Sequence, residues 1–403
     1  MQTFIARQPI LDLNQKIYGY ELLFRSGLDN FFHHPDPDQA SSKVLADSFF
    51  LMGIQLLTGG RRAFINVTRE ILLNEYLFLI PKDLIVVEIL ENVTPDAEVI
   101  SACRELKRAG YLLALDDFRW EEAWEPLVKL ADFIKIDFLS TEQGLRESFV
   151  RRFTRPGVHF LAEKVETQET FQEAREAGYR YFQGYFFSKP KIISGKDISG
   201  FKLHYFRMLQ EIHHPDLDFH HLEGLIKREI SISYKLLRYI NSSYFGLRSE
   251  ISSILQAMVL LGEKEIKKWI SLVVLATMGE DKPEELVLQA IIRARFCESA
   301  APHARLGSRG EDLFLMGMFS LLDALLDKPL PDILADIPIA KDVKEALLGG
   351  ENRLRNVYQG IVNYETGDWD KLCGQLDKLG MDEATVSRLY SSAVEWGYRC
   401  FRE

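Results

Sequence analysis

Cysteine is scarce in this chain: Cys103, Cys297, Cys373 and Cys400 are scattered over 403 residues, and none forms a Cys-x-x-Cys pair. A disulfide framework and a zinc ribbon are therefore excluded, and the pattern suits a reducing compartment. Long apolar runs are missing too. The longest, Ile270 to Met278, is too short to cross a bilayer. The N-terminal stretch MQTFIARQPILDLNQ carries Arg7 and Asp12 where a signal peptide needs apolar residues. A cytoplasmic protein with no membrane contact is expected. Positive charge is in deficit, with 49 Lys and Arg against 59 Asp and Glu and a formal net charge of −10. That balance argues against bulk binding to a nucleic acid polymer or to anionic lipid. What remains is an ordinary globular composition, 47% hydrophobic and 27% charged, long enough for two or three domains.

Two halves differ in periodicity. Up to about Pro190, β-branched and aromatic runs (IYGYELLF, RAFINV, LIVVEIL, LLALDDF, DFIKID, HFLAEKV, YRYFQGYFF) alternate with amphipathic segments. Ser42, Thr94 and Thr167 are candidate helix caps, and Gly110 and Gly178 candidate stops. Apolar strands alternating with helices indicate a parallel sheet, and so many units in so few residues predict a closed, TIM-like β/α barrel. Beyond Pro190 only helix-period patterns remain, with helices expected around 284–301, 311–327, 341–349, 353–365, 368–379 and 383–402. The expected division is a barrel over 1–195 and an all-helical domain over 196–403, joined near Ser194–Gly200.

Polar residues in the first half cluster at predicted strand ends: Glu21, Asn66, Glu88, Asp116 with Asp117, Lys135 with Asp137, Glu163 and Gln183. In a parallel barrel such ends share one mouth, where active sites lie. Any single one of these acids could be a helix cap or a surface ion-pair partner. Asp137 is a fair cap, Glu91 and Glu166 suit solvated loops, and Gln183 could merely satisfy a turn. Seven such ends together are harder to assign to chance. Carboxylates gathered at one mouth repel unless a cation joins them. Oxygen donors without thiolate suit Mg²⁺ or Mn²⁺, and two such ions close together are a recurring device for hydrolysing phosphate esters. Lys135 could stabilise the developing charge and Arg25 could hold a phosphate oxygen.

These stretches resemble the EAL domain, the bacterial phosphodiesterase barrel that opens cyclic di-GMP to the linear dinucleotide pGpG. The matching segments, in family order, are ARQPILD (6–12), YGYELLFR (18–25), FINV (64–67), VVEILE (86–91), ALDDF (114–118), IKID (134–137), LAEKVET (161–167) and QGYFFSKP (183–190). The resemblance implies that Glu21, Asn66, Glu88 and Asp116 are metal ligands, with Asp117 reaching a second ion. It implies catalytic roles for Glu163 and Lys135, substrate contacts from Gln8, Arg25 and Gln183, and a loop-anchoring role for Glu91.

Departures accompany the match. The signature Glu-Ala-Leu is here Glu21-Leu22-Leu23. The Phe-Gly-Thr-Gly after the paired aspartates is Phe118-Arg119-Trp120-Glu121, and Lys164 stands where a glycine is usual. Glycine supplies backbone freedom that these residues lack. The segment after Arg25, SGLDNFFHHPDPDQAS, lacks a helical pattern.

The second half resembles an HDOD domain, through SISYKLLRYINSSYFGLRSEISSILQAMVLLG (231–262). HDOD domains are helical relatives of metal-dependent HD phosphohydrolases, yet this chain has no His-Asp dipeptide. Three pairs of its nine histidines are adjacent (His33-His34, His213-His214, His220-His221), and neighbouring side chains diverge too much to chelate one ion. The helical half is expected to do no chemistry, and Tyr244, Met258 and Trp269 to be core. The tandem order implies a bacterial cyclic di-GMP signalling protein with a protein partner for the helical half and a homodimer. Three readings stay open: a phosphodiesterase, a receptor that binds cyclic di-GMP without cutting it, and a protein-interaction scaffold.

Overall fold

The computed structural model describes residues 4–25, 53–73, 75–189, 200–214, 218–242, 245–247 and 249–402. Eight strands close a barrel in chain order: β1 (Phe4–Asp12), β2 (Ile17–Arg25), β3 (Arg62–Val67), β4 (Ile85–Ile89), β5 (Leu112–Leu115), β6 (Phe133–Asp137), β7 (His159–Glu163) and β8 (Tyr181–Gln183). Strands β2 to β8 pair in parallel, as expected. Strand β1, which the sequence reading did not count as a strand, runs antiparallel to both β2 and β8. The cause is local. Asp12 Oδ1 accepts from the amides of Asn14 and Lys16 at 2.8 and 2.9 Å, and Gln15 is left-handed, so the chain reverses within a few residues. No crossover helix fits in such a turn.

Strand periodicity then sorts the side chains. Ile10, Phe64, Val86, Ala114, Phe133 and Leu161 pack together inside the barrel, away from the mouth. Two residues further along each parallel strand, on the same inner face, come Asn66, Glu88, Asp116, Lys135 and Glu163. On the reversed β1 the corresponding step from Ile10 runs backwards to Gln8, which pairs with Glu21 across the β1–β2 ladder.

The helical half packs on the outer face of the β1–β2 hairpin. Arg7, next to Gln8 but on the opposite face, is buried. It donates to Leu57 O at 2.7 Å and pairs with Glu285 at 3.3 Å, while Tyr20 donates to the other oxygen of Glu285 at 2.7 Å. Tyr364 donates to Ile5 O at 3.3 Å, and Tyr398 contacts both Arg7 and Tyr20.

Helices form near the expected positions in the second half, including Glu284–Ala300, Arg353–Thr366, Trp369–Leu379 and Glu383–Arg402. The segment expected as one helix over 311–327 divides into Gly310–Phe319 and Leu322–Leu326, and an unforeseen helix spans Leu330–Asp336. Met258 is fully buried and Trp269 stacks on Tyr239, while Tyr244 lies outside the described residues. Residues 194–199 of the expected join and the candidate cap Ser42 also lie outside them. Thr167 caps its helix, but the helix expected to start at Thr94 is capped two residues later by Asp96, which accepts from Val99 N at 2.9 Å.

His213 gives this half a pH dependence. Its Nε2 lies 3.0 Å from Ser271 Oγ, whose own hydroxyl donates to Lys267 O, so the imidazole donates to the serine. Burial, assisted by the Lys267 charge, lowers its pKa from the usual 6.5 to about 4. The unfolded chain therefore binds the extra proton first. The stabilisation is fully present above pH 6.5 and is lost as pH falls toward 4, by at most about 3 kcal/mol. Urea melts at pH 7 and pH 4.5 should show that loss in the wild type and a smaller one in His213→Leu. Equal losses in the two proteins would assign the effect to other groups.

Candidate functional site

At the mouth, one ammonium stands among four carboxylates. Lys135 Nζ, on β6, is 3.0 Å from Glu21 Oε2, 2.8 Å from Asp116 Oδ1 and 2.9 Å from Glu163 Oε1, and it also contacts Glu88. Lys135 and Glu88 have no exposed surface, and Glu21, Asn66, Glu163 and Gln183 are buried. Asn66 Nδ2 donates to Glu21 Oε1 at 3.3 Å. Gln183 Nε2 donates to Glu21 Oε2 at 2.7 Å and to Gln8 Oε1 at 2.9 Å. Residues spread from position 8 to position 183 thus meet in one hydrogen-bonded set.

Electrostatics follow from burial and crowding. Desolvation is the largest influence on Glu163. Lys135 opposes it, but the charges of Asp116 and Glu21 add to it, and the carboxyl is pushed up to about 8. Glu88 rises for the same reasons. Desolvation would lower Lys135, yet the four surrounding carboxylates outweigh it and hold the ammonium charged.

Other site candidates stand apart from this set. Asp117, left-handed at φ 38°, turns away from Lys135 toward Lys164, whose Nζ is 3.9 Å from Asp117 Oδ1 and 2.6 Å from Asp137 Oδ2. Asp137 also accepts from the amides of Leu139 and Ser140, the turn-capping role open to it from sequence. Glu91 is exposed, with no hydrogen bond or ion pair among the described residues. Arg25 ends β2, and its side chain lies outside the described part of the structure, as does the segment 26–50. The altered loop after Asp117 is anchored by aromatic packing: Phe118 contacts Trp124, Phe149 and Phe153, Trp120 packs on Phe153, and the Arg152 guanidinium lies over the rings of both Trp120 and Phe153. Arg119 is exposed.

The Lys164–Asp137 pair went unread in the sequence, although both residues were noted. The signal was available in the β6–β7 register, which sets Asp137 opposite Glu163 and so brings the next residue alongside. The contacts of the helical half with the mouth carried no such signal. Tyr185 donates to Glu365 O at 3.3 Å and Gln8 to Thr366 O at 3.4 Å. Glu365 itself is held by Arg293 (2.7 and 2.9 Å) and Gln289 (2.9 Å) in a buried cluster.

Among the described residues, no three His, Cys, Asp or Glu side chains are spaced as a ready metal cage. Lys135 occupies the middle of the carboxylates instead. The donor chemistry nevertheless fits a hard divalent cation. The set is all oxygen, four carboxylates face one ammonium, and Asn66 Oδ1, Glu88 Oε2, Glu163 Oε2 and Gln183 Oε1 are buried acceptors with no donor.

Residues 43–190 match the family model for the EAL domain, and residues 201–326 match that for the HDOD domain. A Vibrio cholerae protein named cyclic di-GMP phosphodiesterase CdgJ is 37% identical over 397 residues, covering 98% of this chain and 92% of its own. The chain belongs to the EAL–HDOD family. The Bacillus subtilis uncharacterized protein YuxH is another relative, 36% identical over 406 residues and 98% of each chain. Among solved structures, the Bacillus subtilis YkuI protein, with an EAL domain and in complex with substrate c-di-GMP and calcium, is 20% identical, with a TM-score of 0.35 over 65% of this chain and 73% of that one. The EAL half is the closed barrel and the HDOD half belongs to the all-helical region. Among the described residues, no helix is long and apolar enough to cross a membrane.

Proposed function

We propose that this chain is a metal-dependent cyclic di-GMP phosphodiesterase that releases linear pGpG, with a non-catalytic HDOD half. The observation that carries the proposal is the convergence of Glu21, Glu88, Asp116 and Glu163 on Lys135, with buried acceptor oxygens left over. The full-length relative named as a cyclic di-GMP phosphodiesterase supports the substrate.

Glu21, Asn66, Glu88, Asp116 and Glu163 would hold Mg²⁺ or Mn²⁺, which when bound supplies an activated water and neutralises phosphate charge. The chain's own residues do the rest. Gln183 and Asn66 fix the Glu21 carboxylate through hydrogen bonds to its two oxygens. Lys135, kept charged by its neighbours, offers a proton donor and a positive charge to the anionic centre. Glu163, whose burial raises its proton affinity into the neutral range, suits the exchange of a proton with water. Gln8, linked to Gln183 at 2.9 Å, would contact the dinucleotide.

A second reading, a receptor that binds cyclic di-GMP and leaves it intact, is favoured by the loop after Asp117. Its glycines are replaced and its aromatics are packed down, so it has little freedom to close on substrate. One experiment separates the two. The full-length protein is incubated with cyclic di-GMP and Mg²⁺ or Mn²⁺, and the nucleotides are identified by chromatography and mass. Linear pGpG is the expected product. Retained but uncut nucleotide would establish the receptor, and absence of both binding and product would overturn both readings.

A further inference from the structure

We propose that the Lys164 ammonium holds the place beside Asp117 and Asp137 that a second divalent cation would need, so that the barrel mouth takes one divalent cation where its acid set suggests two. This inference rests on the metal-dependent reading above and goes beyond it in assigning a cation count to one residue.

Three observations on this chain carry it. The first is position. Strands β6 and β7 pair Asp137 with Glu163, and Lys164 follows directly, so its side chain leaves the strand end alongside Asp137. Its Nζ reaches Asp137 Oδ2 at 2.6 Å and stands 3.9 Å from Asp117 Oδ1. The Asp117 oxygen is buried and has no hydrogen-bond donor, so Lys164 is the cation it faces.

The second is the backbone. Lys164 sits at φ 53°, in the left-handed region that an L-residue with a long side chain rarely adopts. The surroundings hold it there. Val165 N donates to Gln183 O at 3.0 Å and Phe186 N donates to Val165 O at 3.1 Å, so the next residue is clamped to β8. Gly184, at φ 143°, lies so close that a Cβ there would stand 2.1 Å from Val165 O. Rigid neighbours thus set the direction in which the Lys164 side chain leaves the strand end, and the ion pair with Asp137 holds its ammonium there.

The third is the distribution of charge. Four carboxylates of the inner set share one ammonium and keep buried oxygens without donors. In the outer pair, Lys164 and two backbone amides already satisfy Asp137. A divalent ion is drawn to the inner set. At the outer pair it would meet a like charge already in place.

The test counts ions rather than turnover. Manganese(II) is titrated into the metal-free full-length protein, and bound ion is measured by loss of the free-ion electron paramagnetic resonance signal. The same is done for Lys164→Gly, which suits the left-handed backbone, and for Lys164→Gln, which keeps the bulk without the charge. One bound ion is expected in the wild type and two in each variant. Adding Asp117→Asn to Lys164→Gly is expected to return the count to one. Two ions in the wild type, or one in both single variants, would overturn the inference and leave the metal-dependent reading standing. Two in Lys164→Gly with one in Lys164→Gln would assign the exclusion to bulk and overturn the role of the ammonium. No bound ion in the wild type would overturn the metal-dependent reading and this inference with it.

Discussion

Glu163→Gln is expected to lower turnover of cyclic di-GMP by about 10²–10⁴-fold, the range seen when a positioned acid–base group is removed, with little change in the melting temperature. The two effects separate because of where Glu163 sits. One of its oxygens contacts Lys135 at 2.9 Å, and the other is buried without a donor. Desolvation, only partly opposed by Lys135, lifts its pKa to about 8, so the metal-free protein carries the residue mostly protonated near neutrality. Glutamine reproduces the shape of that protonated form and adds no buried charge, so the fold should tolerate it. It cannot become an anion, so it can neither bind a cation strongly nor take a proton from water. Turnover and thermal melts of wild type and variant, measured side by side, decide the matter. A variant that cuts at the wild-type rate would remove Glu163 from the chemistry, and one that melts far lower would recast it as a structural acid.

Much of this site could be read from the chain because β-strand geometry is so regular. The pairs Phe64 and Asn66, Val86 and Glu88, Ala114 and Asp116, Phe133 and Lys135, Leu161 and Glu163 each repeat one step, an inward apolar residue followed two positions later by an inward polar one. Polar residues at the ends of buried strands have few structural reasons to recur, so their repetition signalled a shared mouth. What stayed hidden depended on tertiary contacts. The direction of β1 is set by a side chain, Asp12, accepting two backbone amides within a short turn, and the run FIARQPILD does not alternate in a way that announces it. The cap falls on Asp96 rather than Thr94, since both are capping residues two positions apart and it is the Asp96 carboxylate that accepts from Val99 N. In the helical half, Glu229 adopts an extended backbone between two helices, and Gly262, at φ 79°, interrupts another. Hydrophobic period alone marks neither break.

The reversed first strand also explains why the two halves are built together. Neighbouring residues on β1 point to opposite faces, so Arg7 faces the HDOD half and Gln8 faces the mouth. A buried ion pair such as Arg7–Glu285 contributes orientation more surely than net stability, since both charges lose their water. With Tyr20 and Tyr398 completing its hydrogen bonds, it fixes the helical half over the hairpin. The same docking brings the end of the helix Arg353–Thr366 to Gln8 and Tyr185, whose side chains donate to its backbone carbonyls, so the mouth of the barrel is hydrogen-bonded to the helical half.

Lys135→Met should be the most destabilising single change at the mouth, by about 3–5 kcal/mol in metal-free protein, the usual result of removing one partner from a buried charge cluster. Methionine fills most of the volume, so packing is largely kept and the loss is electrostatic. Glu21, Glu88, Asp116 and Glu163 would then face one another without the Lys135 ammonium, and Glu88 is fully buried. Some of the cost would be relieved by protonation, which raises the stability of the variant at lower pH. A divalent cation offers another remedy, because it supplies charge to the same oxygens. Urea melts in EDTA and in millimolar Mn²⁺ should therefore show a large deficit for the variant in EDTA that narrows on adding metal. A variant as stable as the wild type in EDTA would mean that the carboxylates are already neutral and need no counter-ion. A deficit unchanged by metal would mean that no cation reaches them, and the hydrolytic proposal would lose its physical basis.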